Sequence, residues 1–122
     1  EQIHHLKTGA IIQACITLPA KLEDASEHDI QLLDTVGEKV GLLFQITDDI
    51  LDVKGDSRSL GKTAGKDIQQ NKLTYVSLWG LEKAEHVAEE TCNSALALLQ
   101  ELSVKESQDL ANIIIFIHKR RS

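Results

Sequence analysis

Three aspartates, Asp48, Asp49 and Asp52, lie within the otherwise apolar stretch FQITDDILDV, residues 44–53. On a helix, residues four apart share a face and lie about 6 Å apart along the axis, so Asp48 and Asp52 would face the same way. Their charges repel each other, and burying them is costly unless a cation compensates. Mg²⁺ prefers carboxylate oxygens and usually shares its coordination with substrate phosphates. The spacing therefore indicates a Mg²⁺ site that receives a phosphorylated ligand; the alternative is three acids at a solvated helix end.

Lysines follow and precede these acids. Lys62, Lys66 and Lys72 lie in the glycine-containing stretch GDSRSLGKTAGKDIQQNK, and Lys7 precedes Thr8 in the first predicted helix. Lysines bind phosphate as point charges. Acids that hold Mg²⁺ beside lysines that hold phosphate oxygens form a candidate diphosphate clamp. Each lysine taken singly indicates only a solvated side chain, and it is the combination with the aspartates that favours the clamp.

The stretch GDSRSLGKT superficially matches a nucleotide-binding P-loop. Five residues separate Gly55 from Gly61, whereas the P-loop requires four before its Gly-Lys pair. The stretch also follows a predicted helix, whereas a P-loop follows a strand. Both mismatches exclude a P-loop nucleotide hydrolase.

Helical periodicity predicts an all-α protein with antiparallel helices and no strands. The first predicted helix, residues 2–17, carries an apolar stripe and ends before Pro19, and Ser26 or Asp24 is expected to start the second helix. The second, residues 30–51, is apolar nearly all round between residues 40 and 46 and is expected to be central. A loop is predicted over residues 53–72, followed by helices at 73–79, 82–102 and 105–118. The predicted stripe of the first helix consists of Ile3, Leu6, Ala10 and Ala14.

Composition limits the possible partners and compartment. The 122 residues carry a net charge of −6 and only 3% aromatic residues, which disfavours nucleic acid as a partner. The apolar run at residues 113–117 is too short to span a membrane. Without a signal peptide, Cys15 and Cys92 are predicted to be buried free thiols in a reducing compartment, and the protein to be cytoplasmic. The absence of Met indicates a fragment or a trimmed product.

The stretches HLKTGA, FQITDDILDV, GDSRSLGKTAGKDIQQNK and LTY, in this order, resemble the C-terminal half of the trans-isoprenyl diphosphate synthases. The resemblance spans residues 3–121 and is strongest to bacterial farnesyl diphosphate synthases. It implies the all-α isoprenoid synthase fold, a bundle of helices around a deep cavity. It also implies an enzyme that joins an allylic diphosphate (dimethylallyl or geranyl) to isopentenyl diphosphate after Mg²⁺-dependent ionisation of the allylic partner.

The same resemblance implies roles for particular residues. The aspartates match the family's second DDxxD motif, with Asp48 the firmest Mg²⁺ ligand. Lys66 stands where the family commonly has a small residue and receives no role. The basic tail with Lys119 and Arg121 resembles a tail that closes over the isopentenyl diphosphate site, the alternative being a frayed, solvated end. The remaining positions bind the allylic substrate or its diphosphate: Lys7 and Lys62 hold the diphosphate, Thr8 and Gln45 lie against the reacting carbon, and Lys72 lies on the diphosphate side.

The family's first aspartate-rich motif, its isopentenyl diphosphate site and its product-length residues do not occur in residues 1–122. We therefore expect a single partial domain, inactive alone, from a protein that is homodimeric at full length. Two alternatives remain at this point: a non-catalytic helical subunit related to these synthases, and a plain helical interaction domain with an acidic face.

Overall fold

The described part of the chain folds into five α-helices. A computed structural model describes the backbone of residues 2–59, 74–103 and 107–120, and the side chains of 7–55, 74–103 and 107–120. No strand occurs in these ranges, so the predicted all-α class is confirmed. None of the helices described there is long and apolar enough to cross a bilayer. The helices are α1 (Gln2–Leu22), α2 (Glu27–Ser59), α3 (Tyr75–Trp79), α4 (Leu81–Gln100) and α5 (Gln108–Lys119).

Helix α2 is central, as its apolar middle predicted, because α1, α3, α4 and α5 all pack against it. Its inward face carries large aliphatic side chains, of which Val36, Leu43 and Ile46 are fully buried. Helix α4 presents mainly small buried residues to this face. The buried residues of α4 are Ala84, Ala88, Thr91, Cys92, Ala95 and Leu99. Burial raises the pKa of the Cys92 thiol.

Polar contacts show that the helices alternate in direction. Asp29, early in α2, accepts a hydrogen bond from the backbone of Ser103 after α4, while Lys54, late in α2, pairs with Glu85 early in α4. Helix α4 is therefore antiparallel to α2. Helix α5 returns in the direction of α2, since it starts near Ser103 and ends where Arg120 contacts α2.

Glycines let α1 and α2 cross at very short range. A methyl group at Gly37 would lie 2.8 Å from the Cα atom of Gln13, and one at Gly41 would lie 3.0 Å from the Cα atom of Gly9. These pairings run in opposite chain directions, so α1 and α2 form an antiparallel hairpin. The crossing fixes which part of α1 lies beside the aspartates of α2.

The start of α2 confirms one predicted cap and excludes the other. Ser26 accepts a hydrogen bond from the backbone N–H of Asp29 at 3.1 Å, which is the N-cap geometry. Asp24 instead adopts a left-handed φ of 51° just after α1, a conformation that Asp tolerates better than most residues.

Helix α1 continues through Pro19 to Leu22, so the predicted end before Pro19 was wrong. Pro19 lies in the last turn, where the missing N–H removes a single helical bond, and packing of α1 on α2 outweighs that loss.

Other sequence predictions need correction. Helix α2 runs to Ser59, so the predicted loop was wrong for residues 53–59, and the rest of that loop lies outside the described residues. On α1, Ile12 and Ile16 pack against the core while Ala10 and Ala14 are exposed, so the predicted stripe was wrong at Ala10 and Ala14. The side chains of Ile3 and Leu6 lie outside the described residues. Cys92 is buried as predicted, but Cys15 is exposed.

Asp29 connects the start of α2 to the chain after α4. Its carboxylate is almost fully buried and accepts the backbone N–H of Ser103 at 3.0 Å. That hydrogen bond stabilises the charged form and lowers the pKa of Asp29, against the opposing effect of burial. A carboxyl group with a lowered pKa in the folded state stabilises that state only while it is ionised.

Replacing Asp29 with Asn should therefore reduce stability in a pH-dependent way. The deficit relative to the unchanged chain should be largest near neutral pH. The deficit should begin to shrink as pH falls below about 4, where the Asp29 carboxyl is protonated in the unfolded chain. It should continue to shrink until the pH passes the lower pKa that this carboxyl has in the folded state. Urea unfolding at several pH values measures this, with exposed Glu38→Gln on the same helix as control. A deficit that stays constant from pH 7 to pH 3 would contradict the assignment.

Candidate active site

The three aspartates lie at the C-terminal part of α2 but have different surroundings. Asp49 is only 5% exposed, whereas the Asp48 side chain is 46% exposed and Asp52 is open to solvent. Asp48 and Asp52 are one helical turn apart on the same face, as their spacing predicted. The helix thus presents two accessible carboxylates and one buried carboxylate.

Asp49 is engaged by the chain that follows the predicted loop. One of its oxygens accepts the backbone N–H of Tyr75, the first residue of α3, at 2.8 Å. Thr74 caps the same helix end through a reciprocal capping box with Ser77. This bond gives the buried acid a polar partner and fixes the start of α3 against Asp49 on α2.

Asp48 is paired with Arg120, which immediately follows α5. The guanidinium Nη2 donates to Asp48 Oδ1 and, at 3.0 Å, to the carbonyl oxygen of Phe44. Its carbon lies 4.2 Å from the centroid of the Phe44 ring, a cation–π distance. Three contacts therefore hold Arg120 across one turn of α2.

The helix crossing brings the predicted substrate-facing residues of α1 and α2 to one level. A methyl group at Gly9, next to Thr8, would lie 3.5 Å from the side-chain nitrogen of Gln45. In this antiparallel register Lys7 is level with residues 43–44 of α2, roughly 7 Å along the axis from Asp48 at 1.5 Å per residue. Thr8, Gln45 and Lys7 thus belong to the same end of the helix pair as the aspartates.

Several predicted positions fall outside the described part of the chain. These are Lys62 and Lys72, for which phosphate contacts were predicted, together with Lys66 and Arg121. Lys119 is exposed at the end of α5. The assignments of Lys62 and Lys72 to the diphosphate therefore stay predictions.

The available donors fit a magnesium ion that is shared with phosphate. Asp48 and Asp52 offer hard carboxylate oxygens at a solvent-accessible edge. Among the side chains that the structure describes, no three His, Cys, Asp or Glu residues are close enough to hold a metal ion by themselves. Mg²⁺ is usually held by one or two carboxylates together with substrate phosphates. Two accessible aspartates suit that kind of site.

The fold and site define an all-α protein that presents carboxylates beside a lysine-bearing helix at one end of its central helix. A family model described as Polyprenyl synthetase matches residues 1–118. The chain belongs to the polyprenyl synthetase family. It is 38% identical over 120 residues to a farnesyl diphosphate synthase of Micrococcus luteus, covering 98% of this chain and 41% of that protein. It is 43% identical over 104 residues to the farnesyl diphosphate synthase of Escherichia coli K12, covering 84% and 35%.

Plant relatives match with similar strength. Geranylgeranyl pyrophosphate synthase 12 of Arabidopsis thaliana is 48% identical over 89 residues, covering 73% of this chain and 25% of that protein. The chain spans between about a quarter and two fifths of the length of these curated relatives. Because the matching relatives include both farnesyl and geranylgeranyl synthases, the family is established while the product length is not.

Sequence reasoning missed Tyr75 and Arg120, the polar partners of Asp49 and Asp48. Tyr75 contributes a backbone N–H, which no side-chain pattern reveals; the capping pattern that begins at Thr74 was the available indication that a helix starts there. Arg120 was grouped with a tail whose alternative was a frayed end. Its proximity to Asp48 depends on α5 running in the direction of α2, which the spacing of apolar residues does not specify.

Proposed function

We propose that the protein to which this chain belongs is a short-chain prenyltransferase that condenses an allylic diphosphate with isopentenyl diphosphate to give geranyl or farnesyl diphosphate. The observation that carries the proposal is the grouping of Asp48 and Asp52 with the α1 segment of Lys7 and Thr8 at one end of the helix pair. Family membership and relatives named as farnesyl and geranylgeranyl synthases support the same chemistry.

Each residue contributes through charge or position. Asp48 and Asp52, with Asp49 behind them, would hold Mg²⁺, which acts as a Lewis acid toward the diphosphate leaving group. Lys7, together with Lys62 and Lys72, would place positive charge where the departing diphosphate gathers negative charge. Thr8 and Gln45 would orient the allylic carbon next to that group. Asp49 would keep α3 in place, so that the aspartate end of α2 is preorganised.

The remaining parts of the proposal concern the whole protein. We propose a homodimeric, cytoplasmic enzyme, and a 122-residue chain that binds a diphosphate with Mg²⁺ but does not complete the condensation alone. The reason is that the opposing aspartate-rich motif of the family is not among residues 1–122. Incubation with labelled isopentenyl diphosphate and geranyl diphosphate checks the last point, and robust product formation would contradict it.

Metal-dependent binding of a diphosphate analogue tests the proposed site. Methylenebisphosphonate is titrated calorimetrically into the 122-residue chain, once with Mg²⁺ and once with EDTA. Binding with Mg²⁺ and at least a tenfold loss without it is expected, because the aspartates contact phosphate only through the metal. Equal binding under both conditions, or none under either, would overturn the proposed site and favour a non-catalytic helical subunit.

A further inference from the structure

Arg120 is held far more firmly than its position at a chain end suggests. Its backbone N–H bonds to the carbonyl of Phe116 at 2.8 Å, which extends the hydrogen bonding of α5 by one residue. Its side chain is only 20% exposed and is fixed by Phe44 and Asp48. Among the described residues the buried Nε atom finds no hydrogen-bond partner, which adds a desolvation cost to this placement.

An ordinary surface ion pair does not explain this arrangement. Exposed pairs are generally weak because water screens them and two long side chains must be ordered. Arg120 adds a carbonyl contact and a ring contact to the ion pair, and most of its surface is removed from water. The three contacts converge on one turn of α2, the turn that carries Asp48.

We infer that Arg120 is the resident counter-ion of Asp48 and that a divalent cation must displace it. This inference rests on the proposed metal site, because it assumes that Asp48 binds the metal. The guanidinium already bonds to Asp48 Oδ1, and two cations that compete for the same carboxylate repel each other. Arg120 therefore lowers the affinity for metal, and metal binding releases the end of the chain from α2.

Displacement of Arg120 by the metal has one direct alternative, in which both cations share Asp48. A carboxylate has two oxygens, so a metal could use Asp48 Oδ2 and leave Arg120 on Oδ1. In that arrangement Arg120 would orient Asp48 for the metal, and its removal would weaken metal binding or leave it unchanged. The sign of the change in metal affinity therefore decides between displacement and support.

Manganese binding, measured from the electron paramagnetic resonance of the free ion, gives that sign without any turnover. Arg120→Gln should bind Mn²⁺ about tenfold more tightly than the unchanged chain. Lys119→Gln removes the same charge from an adjacent, exposed position and should stay within about twofold. Arg120→Lys keeps the charge but loses the planar guanidinium group, so its Mn²⁺ affinity should lie between that of the unchanged chain and that of Arg120→Gln.

Hydrogen exchange of the unchanged chain provides a test that needs no variant. Adding Mg²⁺ should speed exchange of the amides at residues 118–120 at least severalfold, while amides around Ile114 stay protected. If Mn²⁺ binds the unchanged chain and Arg120→Gln equally, or binds the variant more weakly, the displacement is overturned and the metal site stands. If neither chain binds Mn²⁺, the proposed metal site is overturned, and the displacement with it.

Discussion

Replacing Asp48 with Asn should lower the Mg²⁺-dependent affinity for methylenebisphosphonate at least about 100-fold. Loss of partners that only support a metal ligand typically costs 10–100-fold, and Asp48 is proposed as a direct ligand. The substituted amide keeps an oxygen of similar size, so the helix packing around Phe44 and Arg120 should persist. Calorimetric titration with Mg²⁺, alongside circular dichroism to verify folding, measures the loss.

Two matched variants separate a local effect from a general loss of charge. Glu38→Gln removes one negative charge from an exposed site on the same helix and should leave the affinity within about twofold. Asp49→Asn retains an oxygen for the Tyr75 N–H, and because Asp49 is buried we expect it to cost less than Asp48→Asn, about tenfold. If Asp48→Asn and Glu38→Gln had the same effect, Asp48 would not be the principal ligand.

Replacing Gly37 with Ala should destabilise the protein by a net amount of about 1 kcal/mol. The new methyl would lie 2.8 Å from the Cα atom of Gln13, so backbone rather than a flexible side chain must move. Forcing a methyl into a packed interface costs about 2 kcal/mol, and the gain of about 1 kcal/mol that Ala brings to a helix interior offsets only part of this cost. Urea denaturation monitored by circular dichroism gives the change in unfolding free energy.

Gly55 is the internal control for that experiment, since it lies in the same helix and a methyl group there would meet nothing within 4 Å. Gly55→Ala should therefore stabilise the protein by about 0.5–1 kcal/mol. The two identical substitutions are expected to have opposite signs. If Gly37→Ala also stabilised the protein, α1 and α2 would not cross at this distance.

Much of the helical organisation could be predicted because burial imposes a period on the sequence. The central position of α2 followed from its nearly uniform apolar middle, and the existence of α4 followed from its helical periodicity. The face of α1 could not be predicted from its alanines. The glycines Gly37 and Gly41 of α2 determine how α1 lies, and this turns Ile12 and Ile16 toward the core while Ala14 faces outward.

The candidate site was predictable where neighbours in sequence are neighbours in space. Asp48, Asp49 and Asp52 lie within five residues, and helical geometry alone places two of them on one face. The different surroundings of Asp49 and Asp48 were not predictable. Their partners, Tyr75 and Arg120, are 26 and 72 residues away, and only the packing of separate helices brings them together.

Helix α5 is held at its middle and just beyond its end, and the two contacts differ in kind. In its middle Ile114 is completely buried, and before it the chain at Ser103, after α4, is bonded to buried Asp29. At its end, the attachment is the charged contact of Arg120 with Asp48. If a metal replaces that contact, the part of α5 around Ile114 stays packed in the core, and movement is confined to the turn beyond Ile114. A change at the metal would then reach the outer surface through Phe116 and Lys119 without loosening the core.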